Sequence, residues 1–423
     1  MKWIILVVSV FCMSNMPLKA HRYALLHRDK FPIGMWVTPP DSFRNDFHFK
    51  KLAECGLTFV NGFAPHENTT DEIIRALDLS AENDLLYFVN RASTHYAIVS
   101  YPENEVVPAQ FVTGLEPFVS HPAFAGELLM DEPGKPLIKS VAAFVRVFEE
   151  HFKPKMWHVN LFPTYATGGI QTHSYEDYID TWMAEVKPPC ISYDSYPLLA
   201  SGGIIDDYYY NLDLIRKKAL QFRIPFWTFI QTLSISRTPG VPDKREPSRE
   251  DIRWQVWSNL AFGAKGIQYF CYWTPGSATE VFTDALISRD GNETVRYKVV
   301  QQLNKEVQAI GRKVLGSDPV GVMQIASEPY PLYDAALDTF GPVSRLSGDD
   351  VIAGCFQDEG GKSQLLVCPL RPDRGAALTV HFDRKKGSVV LSQGETSNRV
   401  AFKKGRLDLK IMAGDAVLIE FSE

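Results

Sequence analysis

The stretch that decides the fold is Phe124–Gly134, with the sequence FAGELLMDEPG. Residues 124–130 form a short apolar run that indicates a buried strand, and Pro133-Gly134 breaks it. Asp131 and Glu132 stand directly between the two. In a parallel α/β barrel the strands end at the active face, so carboxylates placed there are expected to point into a cleft. The alternative is that the pair caps the following helix.

Apolar runs of strand character alternate with longer helical segments up to about residue 275. The eight predicted strands are 33–37, 57–63, 85–90, 124–130, 157–162, 190–193, 226–231 and 266–272. The helical segments between them include 47–55, 71–83, 138–152, 175–186, 209–222 and 249–262. Eight βα units in about 250 residues predict a (β/α)8 TIM barrel of the α/β class, which we assign to residues 21–317.

The character of the chain changes at about Asp318. Helical periodicity fades, and short apolar runs alternate with Gly, Asp and Asn turns as far as the closing segment 413–421. This pattern predicts a small antiparallel β-sandwich over residues 318–423.

The N-terminus has the layout of a secretory signal peptide. Lys2 precedes an apolar run from Ile4 to Met13, and Leu18-Lys19-Ala20 provides a cleavage site. The run is too short to span a bilayer, and no other segment is predicted to do so. We therefore expect a signal peptide over residues 1–20 and a secreted or periplasmic protein.

Composition limits the possible partners. The net charge is −6 and no basic run is present, which argues against binding to nucleic acid. The five cysteines after the signal peptide are widely spaced and match no metal pattern, so we expect neither a metal nor another cofactor. Cys355 and Cys368 are the only pair worth testing for a disulfide.

Polar and aromatic residues gather where the predicted strands end. Asp131-Glu-Pro133 and Asp194-Ser-Tyr-Pro197 are two of several such ends, and the prolines account only for the end of each strand. Glycoside hydrolysis requires paired carboxyl groups of this kind. The residues expected to contact a carbohydrate substrate through rings or amides are Trp36, Asn90, Asn160, Tyr193, Tyr196, Gln231 and Trp273.

The layout resembles the large clan of retaining barrel glycoside hydrolases that includes bacterial β-galactosidases. The resemblance rests on the acid after strand four, the Tyr-Asp-Ser-Tyr-Pro of strand six, Trp273 after strand eight and the β-rich tail. It implies that Glu132 is the general acid/base, that Tyr193 or Tyr196 is the strand-six tyrosine and that Trp273 is the sugar platform. Strand seven departs from the clan, because Gln231 stands where its members carry a nucleophilic glutamate.

Three interpretations follow from Gln231. Another carboxylate, Asp194 or Glu246, can supply the second function, with inversion if a water fits between it and Glu132. Asp131 and Glu132 can act together as in the substrate-assisted hexosaminidases, which carry a similar Asp-Glu pair. The barrel can also bind glycan without cleaving it. In each catalytic case Glu132 is expected to have a raised pKa, since adjacent carboxylates cannot both ionise freely in a cleft.

Overall fold

Eight parallel strands close into a barrel, which confirms the predicted (β/α)8 fold. The computed structural model describes residues 30–102 and 105–421, so the predicted signal peptide lies outside the described residues. The barrel strands are β1 (Ile33–Met35), β2 (Phe59–Asn61), β3 (Leu86–Val89), β4 (Phe124–Asp131), β5 (Met156–Leu161), β6 (Ile191–Asp194), β7 (Phe226–Gln231) and β9 (Gly266–Phe270). They pair in the order β1-β9-β7-β6-β5-β4-β3-β2.

The ring closes between β1 and β2 through Thr58. Its backbone N–H donates to the Ile33 carbonyl at 2.8 Å, and its hydroxyl accepts the Ile33 N–H at 3.0 Å. The strand β1 is shorter than predicted because Val37 has a φ of 61°, which no strand accommodates.

Helices surround the barrel, and a two-stranded ribbon lies in the loops at its active face. The helices are α1 (Asp46–Glu54), α2 (Thr70–Glu82), α3 (Ala92–Val99), α4 (Ala109–Thr113), α5 (Glu116–Val119), α6 (Ile138–Phe152), α7 (Thr167–Ile170), α8 (Tyr175–Glu185), α9 (Tyr208–Phe222), α10 (Arg249–Ala261) and α11 (Val295–Leu315). Capping boxes start α2 at Thr69 and α10 at Ser248. The ribbon pairs β8 (Ile235–Ser236) with β10 (Val281–Phe282), from the loops after β7 and β9.

The barrel interior changes from apolar to polar along the strands. Near the amino ends it is filled by large apolar side chains, among them Phe59, Leu86, Met156 and Trp227. Towards the carboxyl ends the buried interior positions are Asn61, Asn160, Ser192, Asp194 and Gln268. Side chains alternate between the two faces of a strand, and these residues lie on the interior face of their strands. Their polar groups therefore face one another inside the barrel. The active face therefore rests on a polar floor.

The C-terminal region is a nine-stranded antiparallel sheet that folds into two layers. Its strands are β11 (Asp318–Ile325), β12 (Val343–Gly348), β13 (Val351–Gln357), β14 (Ser363–Pro369), β15 (Ala376–Phe382), β16 (Lys386–Gln393), β17 (Thr396–Lys403), β18 (Arg406–Ile411) and β19 (Val417–Phe421). β17 and β18 pair only at Lys403 and Arg406, where the layers separate around an apolar core. This confirms the predicted β-sandwich, although the sequence did not reveal the largely exposed β17.

The sandwich packs on helix α10 of the barrel. A Cβ on Gly354 would lie 1.8 Å from the carbonyl oxygen of Ala261, so only glycine allows this approach. Cys355 and Cys368 form no disulfide. Cys355 lies in the core of the sandwich and Cys368 in the cluster that faces the barrel.

An ion cluster ties the two units together. The Arg253 guanidinium donates to both oxygens of Glu306 at 3.0 and 2.7 Å and to Asp415 of the closing segment at 2.6 Å. Arg253 and Glu306 are both buried. Within residues 30–102 and 105–421, no helix is both long and apolar enough to cross a membrane.

Replacing Arg253 by Met is expected to lower the free energy of unfolding by about 3 kcal/mol, since it leaves the buried Glu306 carboxylate without its partner. Urea denaturation measures the change. Arg249→Met is the matched control on the same helix, because its pair with Glu250 is exposed and is expected to contribute less than about 1 kcal/mol. Equal losses in the two variants would contradict the prediction.

Candidate active site

Three carboxyl groups meet at the carboxyl ends of β4 and β6. Asp131 is the last residue of β4, Glu132 follows it, and Asp194 ends β6. Glu132 has a φ of 48°, in the left-handed region that non-glycine residues rarely adopt, and its N–H donates to the Asn160 carbonyl at 2.8 Å. This turn carries the Glu132 side chain onto the same side of the barrel end as Asp194. Such backbone strain is typical of functional positions.

Hydrogen bonds organise the carboxyl cluster. The Glu132 carboxyl is hydrogen bonded to the Asp194 carboxylate. The Asn160 side-chain amide donates to Asp194 at 3.0 Å and makes a longer contact of 3.4 Å with Asp131. Two carboxyl groups can share a hydrogen bond only if one of them holds a proton. The cluster is therefore arranged around a retained proton.

All three pKa values are raised. For Glu132 the causes are burial, then the negative charge of Asp194, then that of Asp131. For Asp131 burial leads, followed by Asp194, while Asn160 acts in the opposite direction. Burial also raises the pKa of Asp194, and the hydrogen bonds from Glu132 and Asn160 oppose it. The pKa of Asp131 is raised to about 8 and that of Asp194 to about 6, while that of Glu132 is raised well above its ordinary value, so the raised pKa expected for Glu132 is shared by its neighbours.

The cluster lies in a concave part of the surface. The side chain of Asp131 is exposed to solvent and that of Glu132 is partly exposed, whereas Asp194 is buried. Even so, burial is the largest cause of the raised pKa of both Asp131 and Glu132. A carboxyl group that is accessible to water but largely surrounded by protein atoms lies in a cleft. This geometry does not fit the alternative in which the pair only caps a helix, since neither residue is an N-cap of α6.

Gln231 is a structural residue. It is fully buried, and its side-chain amide donates to the carbonyls of Leu233 at 2.9 Å and Arg245 at 2.8 Å. These bonds hold the loop after β7, and a carboxylate could not replace them because it only accepts. Gln231 thus fixes the loop at the position where the clan carries its nucleophile.

Glu246 does not join the carboxyl cluster. Its side chain is about half exposed and pairs with Arg296 of α11. Asn90 is also engaged elsewhere, because its side chain accepts the Ala64 N–H at 3.2 Å and contacts the Leu128 carbonyl at 3.4 Å. Of the predicted carboxylates, the structure brings together Asp131, Glu132 and Asp194.

The predicted aromatic residues separate into two groups. Trp36 and Tyr196 are partly exposed near the cleft, with Trp36 packed on Phe229 at 5.7 Å and Tyr196 on Phe270 at 5.7 Å. Because both rings are partly exposed, Trp36 and Tyr196 stay candidates for the predicted sugar contacts.

Trp273 and Tyr193 are not available in this way, which corrects the expectation for both. Trp273 is 3% exposed and lies against Phe43 at 4.7 Å. Tyr193 is completely buried, because it has the opposite phase on β6 from Asp194 and packs on Phe226. Adjacent residues of a strand point to opposite faces, so Tyr193 cannot share the interior face with Asp194. This alternation could have excluded Tyr193 from the predicted site.

Sequence reasoning missed three residues beside the cluster. The hydroxyl of Tyr165 accepts the Tyr196 N–H at 3.1 Å, and the Lys244 ammonium lies 4.4 Å from the centre of the Tyr165 ring. Glu280, next to the ribbon strand β10, adds to the negative charge felt by Glu132. All three lie in loops, where no strand or helix periodicity marks them.

Comparison with known proteins agrees with this architecture. The family model of glycoside hydrolase family 42, described as β-galactosidase, matches residues 140–310, which is less than half of the chain. The match includes Asp194 and Gln231 but not Asp131 or Glu132. Among curated protein sequences, none is significantly similar to this chain.

Several solved structures share the fold. A catalytic mutant of a family 42 β-galactosidase from G. stearothermophilus aligns with a TM-score of 0.60 at 9% identity, over 94% of this chain and 99% of that one. The β-galactosidase of Bacillus circulans sp. alkalophilus aligns with a TM-score of 0.57 at 10% identity, over 93% and 99%.

The β-galactosidase of the psychrophilic Marinomonas ef1 aligns with a TM-score of 0.50 at 13% identity over 67% of this chain, which spans 60% of that protein. At these identities the likeness concerns the fold. Together with the match of residues 140–310 to the family 42 model, it shows that the chain shares the barrel fold of these β-galactosidases and that its residues 140–310 are similar to glycoside hydrolase family 42.

Proposed function

We propose that this chain hydrolyses O-glycosidic bonds of a galactoside-type oligosaccharide or polysaccharide, with Glu132 as the general acid/base. The observation that carries the proposal is the hydrogen-bonded pair of Glu132 and Asp194 in the cleft. Glycoside hydrolysis requires a protonated carboxyl group as the acid and an ionised carboxylate near it. The predicted signal peptide adds the proposal that the enzyme acts outside the cytoplasm, and a mature N-terminus near His21 in the exported protein would test it.

The pair argues against inversion. Inverting enzymes hold their carboxyl groups roughly 6.5–9.5 Å apart to admit a water, whereas Glu132 and Asp194 interact directly. Retaining enzymes hold theirs about 5–5.5 Å apart, so retention requires Glu132 to separate from Asp194 when a sugar binds. In the retaining reaction, the glycosidic oxygen replaces Asp194 as the acceptor of the Glu132 proton. Asp194 then attacks the anomeric carbon as the leaving group departs. Glu132, now a carboxylate, takes a proton from the water that hydrolyses the glycosyl ester.

A second candidate is substrate-assisted cleavage of an N-acetylhexosaminide. The observation that favours it is that Asp131 is exposed and that, among the described residues, its carboxylate accepts one long hydrogen bond of 3.4 Å, from the Asn160 amide. Asp131 therefore has acceptor capacity left for the N–H of a 2-acetamido group. In that reaction the acetamido oxygen is the nucleophile, Asp131 orients it and Glu132 keeps its role.

Replacing Glu132 by Gln is expected to lower kcat by about 100-fold to 10,000-fold on aryl glycosides with poor leaving groups, since general acid catalysis contributes that much. The loss should be smaller for nitrophenolate leaving groups, which need no proton. Turnover on a panel of aryl glycosides measures it, and Glu246→Gln is the control expected to keep wild-type activity. Equal binding without turnover by wild type and Glu132→Gln would instead support a carbohydrate-binding barrel.

The pH–rate profile is expected to show an alkaline limb set by Glu132. A raised pKa keeps the acid protonated to higher pH, so kcat/KM falls only when the pH passes well above the ordinary value of Glu. Asp131→Asn removes one negative neighbour and should move this limb to lower pH. Glu280→Gln removes the weakest of the charges acting on Glu132 and should move it less. An unmoved limb in Asp131→Asn would refute the electrostatic assignment.

Two variants distinguish the mechanisms. If Asp194 is the nucleophile, Asp194→Asn should abolish turnover of a simple galactoside, while Asp131→Asn retains most of it. If the substrate assists, Asp131→Asn should cost at least about 100-fold on an N-acetylhexosaminide. Steady-state kinetics on both substrates decides between them, and trapping of a glycosyl ester on Asp194 by mass spectrometry would exclude substrate assistance.

A further inference from the structure

A continuous chain of buried hydrogen bonds crosses the barrel interior and ends on the carboxyl cluster. The Asn61 amide of β2 donates to the Gln268 side-chain oxygen of β9 at 2.7 Å. The Gln268 amide donates to the Ser192 hydroxyl of β6 at 3.0 Å. The Ser192 hydroxyl donates to the Asn160 side-chain oxygen of β5 at 3.2 Å, and Asn160 donates to Asp194 and Asp131. We call Asn61, Gln268, Ser192 and Asn160 the relay.

The carboxylates dictate the direction of the relay. An ionised carboxylate only accepts hydrogen bonds, so Asn160 must turn its NH2 group towards Asp194. Its side-chain oxygen then faces Ser192, whose hydroxyl must donate to it. Because that hydroxyl has a single proton, it can only accept from Gln268. Each link is thus determined by the one before it, back to Asn61.

Burial makes this direction rigid. Asn61 and Gln268 are fully buried and Asn160 and Ser192 are 2% exposed, so no bulk water can replace a lost partner. Reversing any amide would set oxygen against oxygen at hydrogen-bond distance in a low-dielectric interior, where an unsatisfied polar group is costly. The relay therefore holds Asn160 in one of its two orientations.

We propose that Asn61, Gln268 and Ser192 are positioning residues that keep the Asn160 amide donating to Asp194 and Asp131, and thereby leave the shared proton on Glu132. The inference rests on the proposed function of the carboxyl cluster. A donor to the ionised form stabilises that form, so Asn160 favours Asp194 as the carboxylate, while its longer contact with Asp131 only opposes the rise of that pKa to about 8. Glu132 accepts no such bond among the described residues and remains the acid. The relay thus determines, through the orientation of Asn160, that Asp194 is the carboxylate and Glu132 the acid.

The test is Ser192→Ala and Gln268→Met, with Thr228→Val as the control. Ser192→Ala removes the donor to Asn160. Gln268→Met keeps the approximate size of the side chain, adds no charge and has no donor for Ser192. Thr228 is equally buried on β7, and its hydroxyl contacts the carbonyl of Phe229 outside the relay. Thermal unfolding confirms that each variant is folded before it is titrated.

Difference infrared titration of the carboxyl bands is the first measurement, since it needs no activity. Subtracting a matched Asp194→Asn background isolates the Asp194 signal. In both relay variants the Asp194 titration should move to higher pH by about one unit, because the carboxylate loses a directed donor. In Thr228→Val it should not move. An Asp194 titration unchanged in both relay variants overturns the proposal, even if their stability falls.

The pH–rate profile is the second measurement and separates this proposal from the proposed function. The acidic limb of kcat/KM should move to higher pH in the relay variants, with kcat reduced and KM nearly constant. If wild type cleaves no glycoside, the proposed function fails while the infrared shift still tests the relay. If wild type is active and both the infrared titration and the acidic limb stay in place, the relay fails alone.

Discussion

The structure depends on one electrostatic constraint, which is that Asp131, Glu132 and Asp194 cannot all be ionised where the barrel strands end. Burial raises the pKa of all three groups, and the negative charge of Asp194 raises those of Asp131 and Glu132 further. The retained proton lies in the hydrogen bond between Glu132 and Asp194. A proton held beside an ionised carboxylate is the arrangement on which the proposed hydrolysis rests, because such a proton can be transferred to the glycosidic oxygen.

The barrel brings the carboxyl groups together by a local irregularity in β4. The register between β4 and β5 shifts between Leu128 and Met130. Lower in the same strand, a Cβ on Gly126 would lie 1.5 Å from the carbonyl oxygen of Met156, and its φ of 150° is unfavourable for other residues. This tight approach and the shift set Asp131 opposite Asn160, from which the relay controls the cluster.

The sequence predicted the scaffold well and the site in part, for physical reasons. Barrel strands are buried on both faces, so each one appears as an apolar run, and β4 was predicted to within one residue. Asp131, Glu132 and Asp194 were found because they end such runs. The contacts of Lys244 with Tyr165 and of Glu246 with Arg296 join residues far apart in sequence, and only the folded loops show them. Ser192 and Gln268 are polar residues within apolar strands, but only the structure shows that they belong to the relay.

Strand seven ends on a structural amide, whereas the clan that the sequence resembles carries a carboxylate at that position. The Gln231 amide holds two loop carbonyls, and a glutamate there would lose both donors and add a fourth charge near the cluster. The proposed hydrolysis therefore requires its second carboxyl function from another strand, and Asp194 is already paired with Glu132. Because the relay ends on Asp194 and Asp131, its direction is set by these two carboxyl groups and not by the residue that ends strand seven.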